Sequence, residues 1–268
     1  MIVIPGAQEQ PVKLVWETEV TTYAVLEVHF AHTAKVGFRK GDKIAVSFGV
    51  PGKLQKIAGY EVVKEPQAGT EIKKLIAHEF GNSWHAKRSA VYPGPLSAAI
   101  QTLIMLHEPK SQVAIFGGGQ KQYHQAESDI AFLYRLAGNI PVWRDGNGVV
   151  HVEPLPTIEV NEVIEFTPSE EEGRCYIAAG VTPEGQVFEV KVGEGVPTRI
   201  QEVFHSPAEA REFLQKLYNL RKSGKLRCTG KPGLRAGCRV KVQGKEYLAT
   251  KVTHEVSGES WIITAYLS

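Results

Sequence analysis

The sequence predicts an α+β protein that is mainly β, with two β domains, each a barrel or a sandwich, on either side of a small α/β unit. Stretches with a two-residue apolar alternation dominate both ends of the chain. Helical spacing and a hairpin signal lie together in the middle. A glycine-containing phrase also occurs near both ends, which indicates a repeated β unit.

The repeated phrase reads GFRKGDKIAV at residues 37–46 and GLRAGCRVKV at residues 233–242. Each copy leads into a second apolar stretch, VVKE at 62–65 and VTHE at 252–255. Gly41 and Gly237 are therefore expected at equivalent positions of two similar units. The first copy takes the longer path to its second stretch, which predicts a longer hairpin around Val50-Pro51-Gly52.

Residues 1–92 are assigned to the first β domain. The residues of Tyr23–Phe30 alternate, with Val28 and Phe30 on one face and Glu27 and His29 on the other. The other predicted strands of this domain are Lys13–Trp16, Lys43–Phe48, Tyr60–Val63 and Glu71–Phe80.

Residues 93–155 are assigned to the α/β unit, which begins at the punctuation Pro93-Gly94-Pro95. Apolar residues at helical spacing predict helices at 96–106 and 126–137, the second with Ser128 as a possible cap and Gly138 after its end. The first stripe is Ile100, Leu103, Ile104 and Leu106, and the second is Ile130, Leu133, Leu136 and Ala137. A short strand, Val113–Phe116, and a glycine turn at 117–119 lie between the helices, and Asp145-Gly146 predicts a hairpin between 142–144 and 149–152.

Residues 156–268 are assigned to the second β domain with one helix at 206–223. Ser206 as N-cap, Pro207 in the first turn and Glu209 of a capping box predict where the helix begins, and Gly224 closes it. Its apolar stripe includes Leu220, and Lys222 suits its last turn. Residues 169–173 form an acidic loop, and the predicted strands are Glu159–Phe166, Cys175–Val181, Val187–Val192 and Trp261–Leu267.

The composition, 43% apolar and 22% charged residues, is ordinary for a soluble globular protein. The 268 residues carry a net charge of +2, which gives no reason to expect a nucleic-acid surface. No signal peptide or membrane span is expected from the apolar runs, and three cysteines do not form a disulfide framework. The pairs His78-Glu79, His107-Glu108 and His254-Glu255 lack the second histidine of a zinc-protease motif, and Gly117-Gly118-Gly119 lacks the spacing of a phosphate loop. The sequence therefore predicts no catalytic, cofactor-binding or metal-binding residues, and no enzyme.

Three passages together resemble the tail or baseplate hub family of bacteriophages, including the late control protein D group. Residues 38–46, FRKGDKIAV, are similar to the Gly-Asp-x-Val strand entry of the first hub barrel. Residues 128–137, SDIAFLYRLA, resemble the family's Asp-x-x-Phe-Leu-x-Arg-Leu-Ala helix, and residues 233–237 with 247–254 resemble its C-terminal ending. Cys238 departs from the pattern, because a second Gly-Asp is expected there.

The resemblance implies two tube-like β-barrel domains in a homotrimer with pseudo-six-fold symmetry. Such a ring joins the tail tube, or a distal tail protein, to a three-fold spike or central fibre, near the tape-measure protein. DNA passes through its channel only as cargo. The expected location is the tail tip or baseplate of a virion, after synthesis in the cytoplasm of a bacterial host. The chain is short for a hub, so we expect no appended lysozyme or peptidase domain.

Two other functions remain open from the residues. One is a β-barrel module that binds a carbohydrate or a host receptor, and the other is a cell-wall hydrolase associated with a tail. The lack of a catalytic motif disfavours the hydrolase. A ring-forming assembly would separate the hub from the binding module.

Overall fold

The computed structural model describes residues 1–66, 71–109, 121–138, 140–168, 174–200, 204–219 and 224–268. The strands of the first part are β1 Ile2–Val3, β2 Lys13–Glu19, β3 Thr22–Ala31, β4 Lys43–Val50, β5 Lys53–Lys64 and β6 Ile72–His78. The middle part contains a 3₁₀ turn Asn82–His85, β7 Ala90–Gly94, α1 Leu96–Met105, β8 Lys121–Gln125, α2 Asp129–Ala137, β9 Val142–Arg144 and β10 Val150–Val152. The last part contains β11 Thr157–Glu159, β12 Val163–Pro168, β13 Arg174–Val181, β14 Val187–Val192, β15 Val196–Arg199, α3 Pro207–Asn219, β16 Gly224–Thr229, β17 Arg239–Val242, β18 Lys245–Ser257 and β19 Ser260–Leu267.

A twelve-stranded sheet joins the two ends of the chain. Its order is β1-β4-β5-β6-β3-β2-β18-β19-β16-β12, with β17 beside β18 and β11 beside β17. The mainly β, α+β class is confirmed. Two separate barrels are not confirmed, because β2 pairs with β18 and the described strands form an open order without a closed barrel.

One apolar core lies against this sheet and takes side chains from both ends of the chain. Phe48 of β4 makes edge contacts with the rings of Trp16 of β2 and Trp261 of β19. His254 also contacts both tryptophan rings. Alternate residues of β2 are buried, as a strand with one face on the core requires. The division of the chain at residues 92 and 155 stays a prediction.

The middle segment has a second core between α1 and α2. Both predicted stripes are buried there except Leu106, which is exposed because α1 ends at Met105. The Ser128 cap is confirmed, since its hydroxyl accepts a hydrogen bond from the Ala131 N–H at 3.4 Å. The hairpin of β9 and β10 is confirmed with the expected turn at Asp145.

A third, smaller core lies between α3 and the three-stranded sheet β14-β13-β15. Ser206 accepts a hydrogen bond from the Glu209 N–H at 3.2 Å, so the predicted N-cap is confirmed. The Glu209 carboxylate accepts from the N–H of His205, one residue earlier than in the predicted capping box. Gly224 does not close the helix, because it is the first residue of β16.

Several sequence predictions need correction or fall outside the described residues. The predicted strand 159–166 is two strands, β11 and β12, which pair with different partners. Pro93 and Gly94, predicted as punctuation, belong to the strand β7, which pairs with β8. The strand at 113–116, the glycine turn at 117–119, the acidic loop at 169–173, and Leu220 and Lys222 of the third helix lie outside the described residues.

Both copies of the repeated phrase build the same turn. In the first copy the Gly41 N–H donates to Val62 O and the Val62 N–H donates to Asp42 O, at 2.8 and 2.9 Å. In the second copy Gly237 and Cys238 make the same two bonds with Ala249, also at 2.8 and 2.9 Å. Both glycines have a positive φ, +94° and +90°. The glycines are therefore locally equivalent, as predicted.

The longer hairpin predicted in the first copy is also present. β4 and β5 pair from Lys43–Glu61 to Val50–Lys53, whereas β17 pairs with β18 only from Arg239–Leu248 to Val242–Lys245. The stretch at 252–255 is not the counterpart of 62–65, because Ala249 takes the place that Val62 has in the first turn. The second hairpin is thus shorter than the sequence alignment indicated.

Substituting the two repeat glycines by alanine separates backbone strain from packing. Gly41→Ala should lower the free energy of unfolding by about 1 kcal/mol, because only its left-handed φ disfavours a Cβ in otherwise open space. Gly237→Ala should lower it by roughly 2–4 kcal/mol, since its Cβ would also lie 2.9 Å from Cγ of Pro141. Urea denaturation checks both values, and equal losses at the two positions would contradict the packing argument.

Candidate functional site

The arginines of the two repeats have diverged. Arg39 precedes the first turn and is exposed, whereas Arg235 precedes the second turn and is 7% exposed. Arg235 lies where three parts of the chain meet, which are the end of β6, the β9–β10 hairpin and the second repeat. This junction is the candidate site because it holds the buried charges nearest to the repeat.

Glu79, directly after β6, is the acceptor at this junction. Its Oε1 accepts hydrogen bonds from Nη2 of Arg235 at 3.0 Å and from the N–H of Arg144 at 2.8 Å. Its Oε2 accepts from the N–H of Ala24 at 3.0 Å. Glu79 is 1% exposed, so these donors replace the water molecules that would otherwise solvate its carboxylate.

Arg144 extends the junction into the middle segment. Its Nη1 donates to Gly148 O at 2.6 Å, its Nη2 to Oε1 of Glu108 at 3.1 Å, and its Nε to Glu79 O at 3.3 Å. Two arginines and two glutamates therefore balance in charge. Buried ions of this kind are tolerated when each is paired and hydrogen-bonded.

Arg235 is held between two aromatic rings. Its guanidinium carbon lies 5.6 Å from the ring centre of Trp16 and 5.5 Å from that of Trp143. Burial alone would lower the pKa of Arg235, but the Glu79 carboxylate outweighs burial and raises it. Arg235 thus remains charged and connects β2, β9 and the second repeat.

His254, on β18, is a fully buried neutral group beside this junction. Its Nε2 lies 2.6 Å from Leu234 O and its Nδ1 accepts from Nε1 of Trp261 at 3.2 Å, which defines the Nε2-protonated tautomer. Burial lowers the pKa of His254 to about 3, and the nearby charge of Arg235 acts in the same direction, although the bond to Leu234 raises it.

A second buried carboxylate organises the middle segment. Asp129, the first residue of α2, accepts hydrogen bonds from Arg88 Nε, His107 Nε2 and Gln125 Nε2 at 2.7, 2.8 and 2.7 Å. Burial raises the pKa of Asp129, but the three hydrogen bonds outweigh burial and leave it lowered. His107 is also stacked on Trp84, with ring centres 4.2 Å apart. The group therefore stays ionised and fixes the start of α2.

A cleft of about 450 Å³ opens over the junction. Glu79 and Arg235 lie at its base, and the turn after β2, the end of the middle hairpin and the second glycine turn form its walls. Its lining combines threonine and aliphatic side chains with the charged residues Glu19 and Arg239, and the described lining includes no aromatic side chain. Such walls lack the stacking platform that sugars use.

The three histidine–glutamate pairs have structural partners. His107, Glu108, Glu79 and His254 all take part in the buried networks described above. Among the described residues no group of three or more histidine, cysteine or acidic side chains could hold a metal ion. None of the described helices is long and apolar enough to cross a bilayer.

Comparisons with known proteins find similarity only in three dimensions. No protein-family model matches the chain, and no curated protein sequence matches it. The tail protein of Neisseria meningitidis MC58 is 10% identical with a TM-score of 0.68, covering 99% of this chain and 95% of that one. The 43 kDa tail protein of prophage MuSo2 from Shewanella oneidensis is 13% identical with a TM-score of 0.67, covering 100% and 98%.

A third similar structure comes from a secretion system. The E. coli c3393 protein is a component of the type VI secretion system with structural similarity to the T4 bacteriophage tail proteins gp27 and gp5. It is 11% identical with a TM-score of 0.59, covering 100% of this chain and 76% of that one. At these identities the likeness shows a shared fold. The structural neighbours of the chain are thus phage tail proteins and a secretion component with a related fold.

Removal of the Arg235 charge should destabilise the protein strongly. Arg235→Ala leaves Glu79 buried beside one fewer cation, so the free energy of unfolding should fall by about 3–5 kcal/mol. The matched variant Arg39→Ala, at the exposed repeat position, should change it by less than about 0.5 kcal/mol. Chemical denaturation of both variants checks this, and similar losses would refute the divergence of the two arginines.

His254 should make stability fall below neutral pH. Because its pKa is lowered to about 3 in the folded protein, the unfolded chain binds the extra proton once the pH falls below about 6.5. The free energy of unfolding should then decrease by up to about 1.4 kcal/mol per pH unit from this one group, down to pH 3. Denaturation of wild type and His254→Gln between pH 6.5 and 5 measures the difference in slope.

The slopes must be compared because a second histidine also lowers stability in this pH window. Burial lowers the pKa of His78, and the nearby His85 contributes in the same direction. His78 is present in both proteins and cancels from the difference. Equal slopes for wild type and His254→Gln would show that His254 does not titrate as its burial requires.

Proposed function

We propose that this chain is a structural hub or adaptor of a phage tail, or of a related contractile injection machine. Three copies form a ring with pseudo-six-fold symmetry around a channel through which DNA passes as cargo. The ring joins the tail tube or a distal tail protein to a three-fold spike or central fibre, close to the tape-measure protein. The protein acts in the virion, at the tail tip or baseplate, after its synthesis in the bacterial host.

The observation that carries this proposal is the repeated glycine turn. One chain offers two β units that begin with the same turn and the same pair of backbone hydrogen bonds. Three copies of a chain with two like units present six similar elements, which suits a joint between six-fold and three-fold partners. Similarity in fold to phage tail proteins supports the same proposed function.

In this proposal each β unit forms a tube-like wall within the ring. Residues 1–92 and 156–268 contribute the two walls, and residues 93–155 form the α/β unit between them. The difference in hairpin length gives each unit its own contact surface. Pairing of β2 with β18 would hold the two units of one chain at a fixed angle.

The proposed role is not enzymatic and uses no cofactor. The buried ionisable side chains Glu79, Arg144, Arg235 and Asp129 each have protein partners, which is the arrangement of a structural network. A carbohydrate-binding role has less support, because the lining of the cleft offers no aromatic side chain among the described residues.

Electron microscopy of the purified protein, alone and mixed with its tail-tube and spike partners, tests the proposal. We expect three-fold rings with pseudo-six-fold density and an open channel. A protein that stays monomeric beside both partners would refute the hub function. A monomer that binds glycans would instead favour the receptor-binding alternative.

A further inference from the structure

β14 is an edge strand of the three-stranded sheet. It pairs with β13 on one side, and among the described residues no strand lies on its other side. Its six residues, VFEVKV, contain no proline, and its register with β13 has no bulge. The edge strands β15 and β12 each contain a proline, and β12 also has a register shift. Both features hinder the pairing of a further strand.

The turn before β14 shows which of its backbone groups face β13. The Thr182 N–H donates to Gln186 O at 2.9 Å, so these two residues form a hydrogen-bonded pair. Hydrogen-bonded pairs recur at every second residue of an antiparallel ladder. The residues of β14 that bond to β13 are therefore Phe188, Val190 and Val192.

A hydrogen bond on the other side of β13 leads to the same assignment of the β14 backbone groups. Ile177 lies opposite Lys191, and its carbonyl accepts the Ile200 N–H at 2.8 Å, so it faces away from β14. The N–H and C=O groups of Val187, Glu189 and Lys191 consequently point outward from the edge. All three residues are exposed, and Val187 is 81% exposed.

We propose that β14 pairs antiparallel with β14 of a second copy of this chain, about a two-fold axis at Val190. The outward groups of Glu189 then bond to those of Lys191 in the second copy, and the reverse pair forms by symmetry. Each glutamate lies directly opposite a lysine. Opposite charges at such cross-strand positions stabilise a sheet.

Charge selects this register over its neighbour. The outward groups also permit an axis at Glu189, but this register places Glu189 opposite itself, and like charges directly opposite are unfavourable. Arg199 extends the favourable arrangement, because its Nη1 lies 3.4 Å from Oε2 of Glu189 across β13. The joined sheet has alternating positive and negative side chains on its exposed face.

This contact is independent of the proposed ring. A two-fold pairing at β14 joins two chains, or two complete rings, whereas the ring itself requires three-fold contacts. Ring formation and two-fold association are measured separately for each β14 variant, so failure of either proposal can be recognised.

Amide hydrogen exchange at two protein concentrations tests the pairing residue by residue. We expect concentration-dependent protection of the amides of Val187, Glu189 and Lys191. The amides of Phe188, Val190 and Val192 already bond to β13 and should be protected equally at both concentrations. Equal exchange of the outward amides at low concentration and at about 1 mM would overturn the proposal.

Charge variants test the register by sedimentation velocity. Glu189→Lys and Lys191→Glu should each weaken self-association by at least about tenfold, because both symmetric pairs become repulsive. The double variant E189K/K191E, and a mixture of the two single variants, should restore it. Glu184→Lys, the same charge change in the exposed turn before β14, is the matched control and should have no such effect. Single variants that associate like wild type, or a double variant that associates no better than they do, would overturn the proposal.

Discussion

The ion pair between Glu79 and Arg235 is the interaction on which the arrangement of the chain depends. Glu79 ends the strand ladder of the first segment, and Arg235 introduces the second glycine turn. Arg144 binds the same carboxylate from the middle hairpin, so one side chain fixes three segments. Because burial makes an unpaired charge costly, each segment stabilises the other two.

The repeated phrase shows how one backbone motif serves two purposes. The turn geometry is the same in both copies, and a positive φ requires glycine in each. The arginine before the turn differs in environment, since Arg39 faces solvent and Arg235 lies between two tryptophan rings. The second copy therefore stabilises the interior, whereas the first leaves its arginine exposed to solvent.

Local patterns in the sequence predicted the elements whose signals are local. Alternation predicted β2, β3 and β4, Ser128 predicted the start of α2, and Asp145-Gly146 predicted the β9–β10 hairpin. The pairing of β7 with β8 was missed because β8, KQYHQ, has no apolar alternation and its partner is distant in sequence. The role of Glu79 was not predicted, because its side-chain donor Arg235 lies 156 residues away in the sequence. Contacts over such distances leave no trace in residue spacing.

The position of β2 at the centre of the large sheet has a consequence for synthesis. β2 lies between β3 and β18, so its pairing is complete only after β18, which lies far along the chain, has been synthesised. Thr18 bonds to Val252, 234 residues further along the chain. Such high contact order slows folding, because distant segments must meet before the sheet is complete. Until β18 has emerged from the ribosome, the β2 edge of the sheet stays unpaired.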